Sequence, residues 1–153
     1  ASLFSAACQV GAISGLGTEA EINALKSFGT NFGMTFQLID DAIDYSSNKK
    51  ILGKNTGDDF KEGKITLPII LAYGRSNDKE KKFWERTISD LNQNDGDFEM
   101  ALEIINKYQC IEDTLTRANH FSNVAVDSVD IFKDNIYKEK LVSLVTKSVA
   151  RIY

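Results

Sequence analysis

Three features of this sequence predict an all-α fold. Apolar residues recur at steps of three and four through most of its 153 residues. β-Branched residues nowhere alternate with polar ones over a useful length, so strand signals are weak. The chain carries a single proline, Pro68, and neither a Ser/Gly-rich linker nor an internal repeat. The periodicity predicts helices near 2–16, 19–46, 66–76, 78–92, 97–109, 112–134 and 136–152.

The opening stretch, "ASLFSAACQVGAISGL", has no Met, and Leu3, Ala7, Val10 and Ser14 follow helical spacing. A helix that begins at the first residue, with little lead-in to cap it, reads as a chain trimmed from something longer. Thr18 and Glu21 form a capping box for the long second helix. There Leu25, Phe28, Phe32, Phe36, Ile39 and Ile43 make one continuous stripe, while Met34, Leu38 and Ala42 occupy the opposite side. A helix apolar nearly all round is buried among others. At about 100° per residue, Gln37, Asp40 and Asp44 lie beside the stripe, in line with Gly29 and Gly33. The expectation is an interior cavity below a strip without side chains.

Thr66 can cap the next helix, leaving Pro68 in its first turn, where a missing N–H is harmless. Trp84, in "KKFWERTI", should pack its amphipathic helix inward, with "DKEKK" as a solvated face. Gly96 and Asp97 restart the chain before "FEMALEIINKY". Cys110 falls between predicted helices, and Cys8 reads as a small core residue. Leu141, Leu144, Val145 and Val149 read as core supports in the last helices, with "ARIY" as a cap on the bundle.

With 42% hydrophobic and 26% charged residues, the composition is that of a soluble globular domain. A formal net charge of −4 argues against general attraction to nucleic acid or anionic lipid. No apolar run reaches membrane-spanning length, so no stable membrane insertion is expected. Two cysteines make no disulfide framework, which favours a reducing compartment and a cytoplasmic location. His120, the only histidine, has no partner nearby in sequence and reads as a surface or hydrogen-bonded residue.

The chemistry concentrates in "FQLIDDAIDY", which sets Asp40, Asp41 and Asp44 into an otherwise apolar run. Unpaired buried carboxylates are costly, so a counter-charge is needed. Carboxylates one turn apart are about 6 Å apart along the axis and can share a hard cation. Mg²⁺ is commonly held by one or two carboxylates together with substrate phosphates. The following segment, "SSNKKILGKNTGDDFKEGKITLP", interleaves Lys49, Lys50, Lys54, Lys61 and Lys64 with Gly53, Gly57 and Gly63. Such a loop can bend round phosphate, although a solvated turn has the same composition. It is no Walker A loop, since the glycine spacing is wrong and Ile65 stands where Ser or Thr should ligate Mg²⁺. Neither "DDAID" nor "NQNDGD" meets the ligand pattern of an EF-hand.

Together, "FGTNFGMTFQLIDDAIDY" and "LGKNTGDDFKEGKITLPIILAY" resemble the trans-type polyprenyl diphosphate synthases, and most closely the octaprenyl/decaprenyl synthases of quinone side chains. "FQLIDDAID" is similar to that family's second aspartate-rich motif, and "ASLFSAACQVGA" to the helix after its Lys-Thr pair. The resemblance is strong over residues 1–76 and weaker beyond. It implies a helical bundle of the isoprenoid synthase type that condenses isopentenyl diphosphate onto an allylic diphosphate. By position it implies Mg²⁺ on Asp40 and Asp44, with Asp41 and Gln37 in support. Lys54 would contact the allylic diphosphate, Lys64 would lie near it, Phe36 would line the cavity, and Asp59 would be structural. It also implies a homodimer.

The family's first aspartate-rich motif and its isopentenyl-binding Gly-Lys-Arg segment are not among these residues. The resemblance therefore implies that 1–153 is the C-terminal part of a single synthase domain, inactive alone. Two other readings compete. One is a non-catalytic or regulatory subunit that keeps only this aspartate-rich site. The other is a terpene cyclase relative, whose second motif ordinarily mixes Asn, Ser/Thr and Glu.

Overall fold

The computed structural model describes residues 1–46 and 57–152. Among them are eight α-helices and no strand, as the periodicity predicts. In order they are α1 (Ser2–Ser14), α2 (Glu19–Asp44), α3 (Asp58–Lys61), α4 (Leu67–Arg75), α5 (Asp78–Trp84), α6 (Asp97–Lys107), α7 (Cys110–Ser128) and α8 (Ile136–Val149). None is long and apolar enough to cross a membrane. The residues form two compact units, one of Ala1–Ile39 with Thr116–Tyr153, the other of Asp40–Leu115.

In the first unit α1 stops at Ser14, because Leu16 turns into the left-handed region at φ 56°. The capping box of α2 is present: the Glu21 carboxylate accepts from the Thr18 N–H at 2.7 Å, and the Thr18 hydroxyl accepts from the Glu21 N–H at 3.3 Å. Phe28 and Phe32 centre a core with Ala125, Val129 and Val145, closed by Phe4, Cys8, Leu25 and Leu141. The α1 face that packs is the one carrying Phe4, Cys8 and Ala12, whereas Leu3, Ala7 and Val10 are exposed.

The glycine strip of α2 is not the wall of a cavity. A Cβ on Gly29 would stand 2.5 Å from the Phe4 carbonyl oxygen, and one on Gly33 2.5 Å from the Ala1 Cα. The strip is where α1 lays its backbone, an approach that only side-chain-free positions allow. The Thr30 hydroxyl donates to Ser5 Oγ at 2.9 Å across the same contact. In α8, capped by Asn135, Val145 is buried but Leu144 is exposed, so Leu144 is not a core support.

The second unit is built round Trp84, Tyr45, Phe60, Ile69, Ile104 and Ile105. Trp84 is buried as expected, and its indole N–H donates to Ser76 Oγ at 3.2 Å. The predicted helix 78–92 is not uniform: a π-helical turn, Glu85–Ser89, follows α5 and leaves Phe83, Trp84, Thr87 and Ile88 all buried. Cys110 is not in a connection but is the fully buried first residue of α7, which ends at Ser128 rather than near 134. Asp97 opens α6 and holds the Arg86 guanidinium in two bonds of 2.8 Å, while accepting the Asn94 N–H at 2.7 Å. Thr66 takes the N-cap position of α4, but its side chain makes no capping bond.

Candidate functional site

Helix α2 delivers Asp40, Asp41 and Asp44 within its last two turns, because nothing in the sequence breaks the helix before them. In the second unit Asp40 and Asp44 are half-buried and Asp41 is buried. The sequence placed Asp40 and Asp44 in an interior cavity; in the structure Asp41 lies deepest, while Asp40 and Asp44 keep access to solvent.

Asp44 is bonded by the segment that returns past it. Its Oδ2 accepts the Asp59 N–H at 3.0 Å, and its backbone carbonyl accepts the Gly57 N–H at 3.0 Å. Gly57 holds φ 86°, and a Cβ there would meet the Phe98 ring at 2.6 Å, so glycine is required for this return. Burial raises the affinity of the Asp44 carboxyl for its proton, and the charges of Asp59 and Asp58 add to the effect against the opposing N–H bonds. The ionised form of Asp44 is therefore held at a disadvantage that a nearby cation would remove.

The short helix α3 was not visible in the sequence periodicity, which is too brief over four residues to register. It brings Asp59 to two tasks. Its N–H serves Asp44, and its side chain accepts from Lys64 Nζ at 2.9 Å. Lys64 also meets Glu62 Oε2 at 2.7 Å, and these two carboxylates, Glu62 foremost, hold the ammonium charged far above neutral pH. More than half of the Lys64 side chain is exposed, at 56%, so it can exchange these partners for another anion.

Two further predicted residues belong to the first unit. Phe36 is half-buried, with its ring 5.7 Å from that of Phe4 and the Arg151 guanidinium 5.3 Å from its centre. Gln37 is exposed on the next position of α2. The pairing of Phe36 with Arg151 could not be read from a sequence separation of more than a hundred residues. Lys54, with the neighbouring Lys49, Lys50 and Gly53, lies outside the described residues. His120 is exposed beside the Phe121 ring.

Among the described residues no group of three or more His, Cys, Asp or Glu side chains is placed to hold a metal ion by itself. The donor set of Asp40 and Asp44 fits a hard cation that takes its remaining ligands from water and a substrate, as Mg²⁺ does. Burial that raises the affinity of Asp44 for its proton, a shift a bound cation would oppose, supports the same fit.

A sequence model for a family described as polyprenyl synthetase matches residues 1–105. The chain is 38% identical to octaprenyl diphosphate synthase of Haemophilus influenzae, over 100% of its own length and 46% of that protein. Among solved structures it is similar to a decaprenyl diphosphate synthase from Rhodobacter capsulatus, with a TM-score of 0.91, 36% identity, and coverage of 99% of this chain and 46% of that one. A polyprenyl synthase from Caulobacter crescentus, solved with calcium and isoprenyl diphosphate, gives a TM-score of 0.87 and 41% identity, covering 97% and 45%. The chain spans about half the length of the curated relatives it matches, 46% of the Haemophilus protein.

Proposed function

We propose, since the chain belongs to the polyprenyl synthetase family, that it forms the C-terminal part of a polyprenyl diphosphate synthase domain. The whole protein would condense isopentenyl diphosphate with an allylic diphosphate, for quinone side chains, as a cytoplasmic homodimer. The observation that carries this reading is the placement of Asp40 and Asp44 one turn apart at the end of α2, both half-buried. The Haemophilus relative, named for octaprenyl diphosphate, and the Caulobacter structure, which holds calcium and isoprenyl diphosphate, support it.

In this reading Asp40 and Asp44 hold Mg²⁺, and Asp41 and Gln37 support them. The cation, when bound, neutralises charge that develops on the departing diphosphate. Lys64 leaves Glu62 and Asp59 to donate to diphosphate oxygens, and Lys54 serves the same anion. Lysine suits this work as a compact, rotatable point charge. Phe36 presents an apolar ring to the prenyl group and helps keep water from the allylic carbon. The 153 residues alone lack a second aspartate-rich motif, so by themselves they transfer no prenyl group.

The test is prenyl transfer by the full-length protein, with product followed from labelled isopentenyl diphosphate at varied Mg²⁺. Full turnover after chelation, or in Asp40→Asn, overturns the assignment. Activity of the isolated 153 residues overturns the division of the site.

A further inference from the structure

The stretch "NQNDGD", residues 92–97, is no EF-hand loop, yet it is tied down at several points. The Arg86 guanidinium donates to the Asn92 carbonyl at 2.6 Å and to both Asp97 carboxylate oxygens at 2.8 Å. Asn92 returns its N–H to the Arg86 carbonyl at 2.9 Å. The chain enters this stretch from the π-helical turn, where the Asp90 N–H reaches back to the Glu85 carbonyl at 3.0 Å. Turns of that width recur at functional sites. Leu91 follows in the left-handed region at φ 50°, which is strained for a residue with a side chain. With 58% of its surface exposed, burial does not offset that strain.

What this loop touches is the segment that carries Lys64. Gln93 is half-buried, and its Nε2 donates to the Phe60 carbonyl at 2.8 Å and to the Thr87 carbonyl at 2.9 Å. The Phe60 carbonyl also accepts the Gly63 N–H at 3.0 Å, and the Asp59 carbonyl accepts the Lys64 N–H at 2.9 Å. The Gln93 amide therefore grips the carbonyl that closes the turn leading into Lys64. Gly63 itself, at φ 66°, lies against Leu91: a Cβ there would stand 2.3 Å from Leu91 Cδ2. The other end of the same turn is anchored to the metal-bearing helix, since the Asp59 N–H donates to the Asp44 carboxylate at 3.0 Å.

We propose that Gln93 is a positioning residue, seconded by Leu91, that sets the Gly63 turn so that Lys64 is presented in fixed register with Asp44 to a metal-chelated diphosphate group. The Lys64 side chain keeps its freedom to rotate, and what Gln93 fixes is the backbone from which it starts. Gln93 makes no contact with the substrate and acts only through Lys64. This inference rests on the reading given above, in which Asp44 and Lys64 serve one diphosphate.

The test is a double-variant cycle on the full-length protein: wild type, Gln93→Met, Lys64→Ala and the two together. Each is titrated calorimetrically with inorganic diphosphate in saturating Mg²⁺. Methionine is unbranched like glutamine but donates no hydrogen bond. Gln93→Met should weaken diphosphate binding about three- to tenfold when Lys64 is present, the worth of one hydrogen bond of pre-organisation. In Lys64→Ala it should change binding by less than about twofold, because an absent lysine cannot be misplaced. Leu91→Ala, at an exposed position, carries the same cycle should Gln93→Met fail to fold, and its effect should likewise vanish without Lys64. Affinity lowered equally with and without Lys64 shows a merely structural stitch and overturns the inference. Unchanged affinity in Gln93→Met and Leu91→Ala, beside a weakened Lys64→Ala, overturns it while leaving the site reading intact. A wild-type protein that does not bind diphosphate, or a Lys64→Ala that binds it equally well, overturns both.

Discussion

Gly29→Ala tests the packing that seats α1. The added Cβ would stand 2.5 Å from the Phe4 carbonyl oxygen and 2.9 Å from the Ser5 Cα, where ordinary contact begins at 3.4 Å. Both neighbours are backbone, so relief requires α1 to move by about 1 Å rather than a side chain to rotate. Overpacking of this kind costs about 1–3 kcal/mol. Against it stands a gain of about 0.5–1 kcal/mol from replacing a mid-helix glycine. The balance is a loss of up to about 2.5 kcal/mol, or a fall of up to about 10 °C in melting temperature for a protein of this size or larger, and a difference of about 1–3 kcal/mol from a glycine-to-alanine change that meets no neighbour. Gly74→Ala is the control, since its Cβ meets nothing within 4 Å and the residue lies in α4. Thermal and urea unfolding of the two full-length variants, compared at unchanged m-value, provide the assay. If Gly29→Ala is as stable as Gly74→Ala, the close approach of α1 is wrong.

Other outcomes follow from the site and its supports. Asp40→Asn should lower turnover on the order of 10²–10³-fold with unchanged helicity by circular dichroism, as expected for loss of a group stabilising transition-state charge. Asp44→Asn should lower turnover and raise the Mg²⁺ concentration needed for half-maximal rate, measured by Mg²⁺ titration, yet raise stability near neutral pH. Its carboxyl is raised in the fold, so it favours folding at low pH and loses that contribution as pH rises through its folded value. Lys54→Ala and Lys64→Ala should mainly weaken binding of the allylic diphosphate, by about 1.5–3 kcal/mol for a charge-assisted contact, seen as a raised KM. Asp97 behaves oppositely to Asp44: Arg86 holds its carboxyl below the ordinary range, so its stabilisation is present above that range and fades as pH falls through it. The stability difference between wild type and Arg86→Gln should therefore shrink below about pH 4 in acid-unfolding curves.

The sequence by itself determined the helical class, the length of α2, its capping box and the placement of three aspartates on one helix end. Each is a local consequence of periodicity or of groups within four residues, which short-range geometry fixes. It also carried the family resemblance, because the aspartate and lysine motifs are contiguous strings. Tertiary structure decided what those local features face. The Gly29/Gly33 strip, read as the roof of a cavity, is instead the seat of α1, because a bare helix face serves a ligand or a neighbouring backbone equally well. Leu144 keeps helical spacing yet stays exposed, since periodicity marks a stripe without saying whether a partner covers all of it. Thr66 occupies the cap position the sequence predicts, but its hydroxyl makes no cap bond. Helix α3 and the Asp44–Asp59 bond arise only when the chain returns past α2, because hydrogen bonds across 15 residues leave no periodic trace.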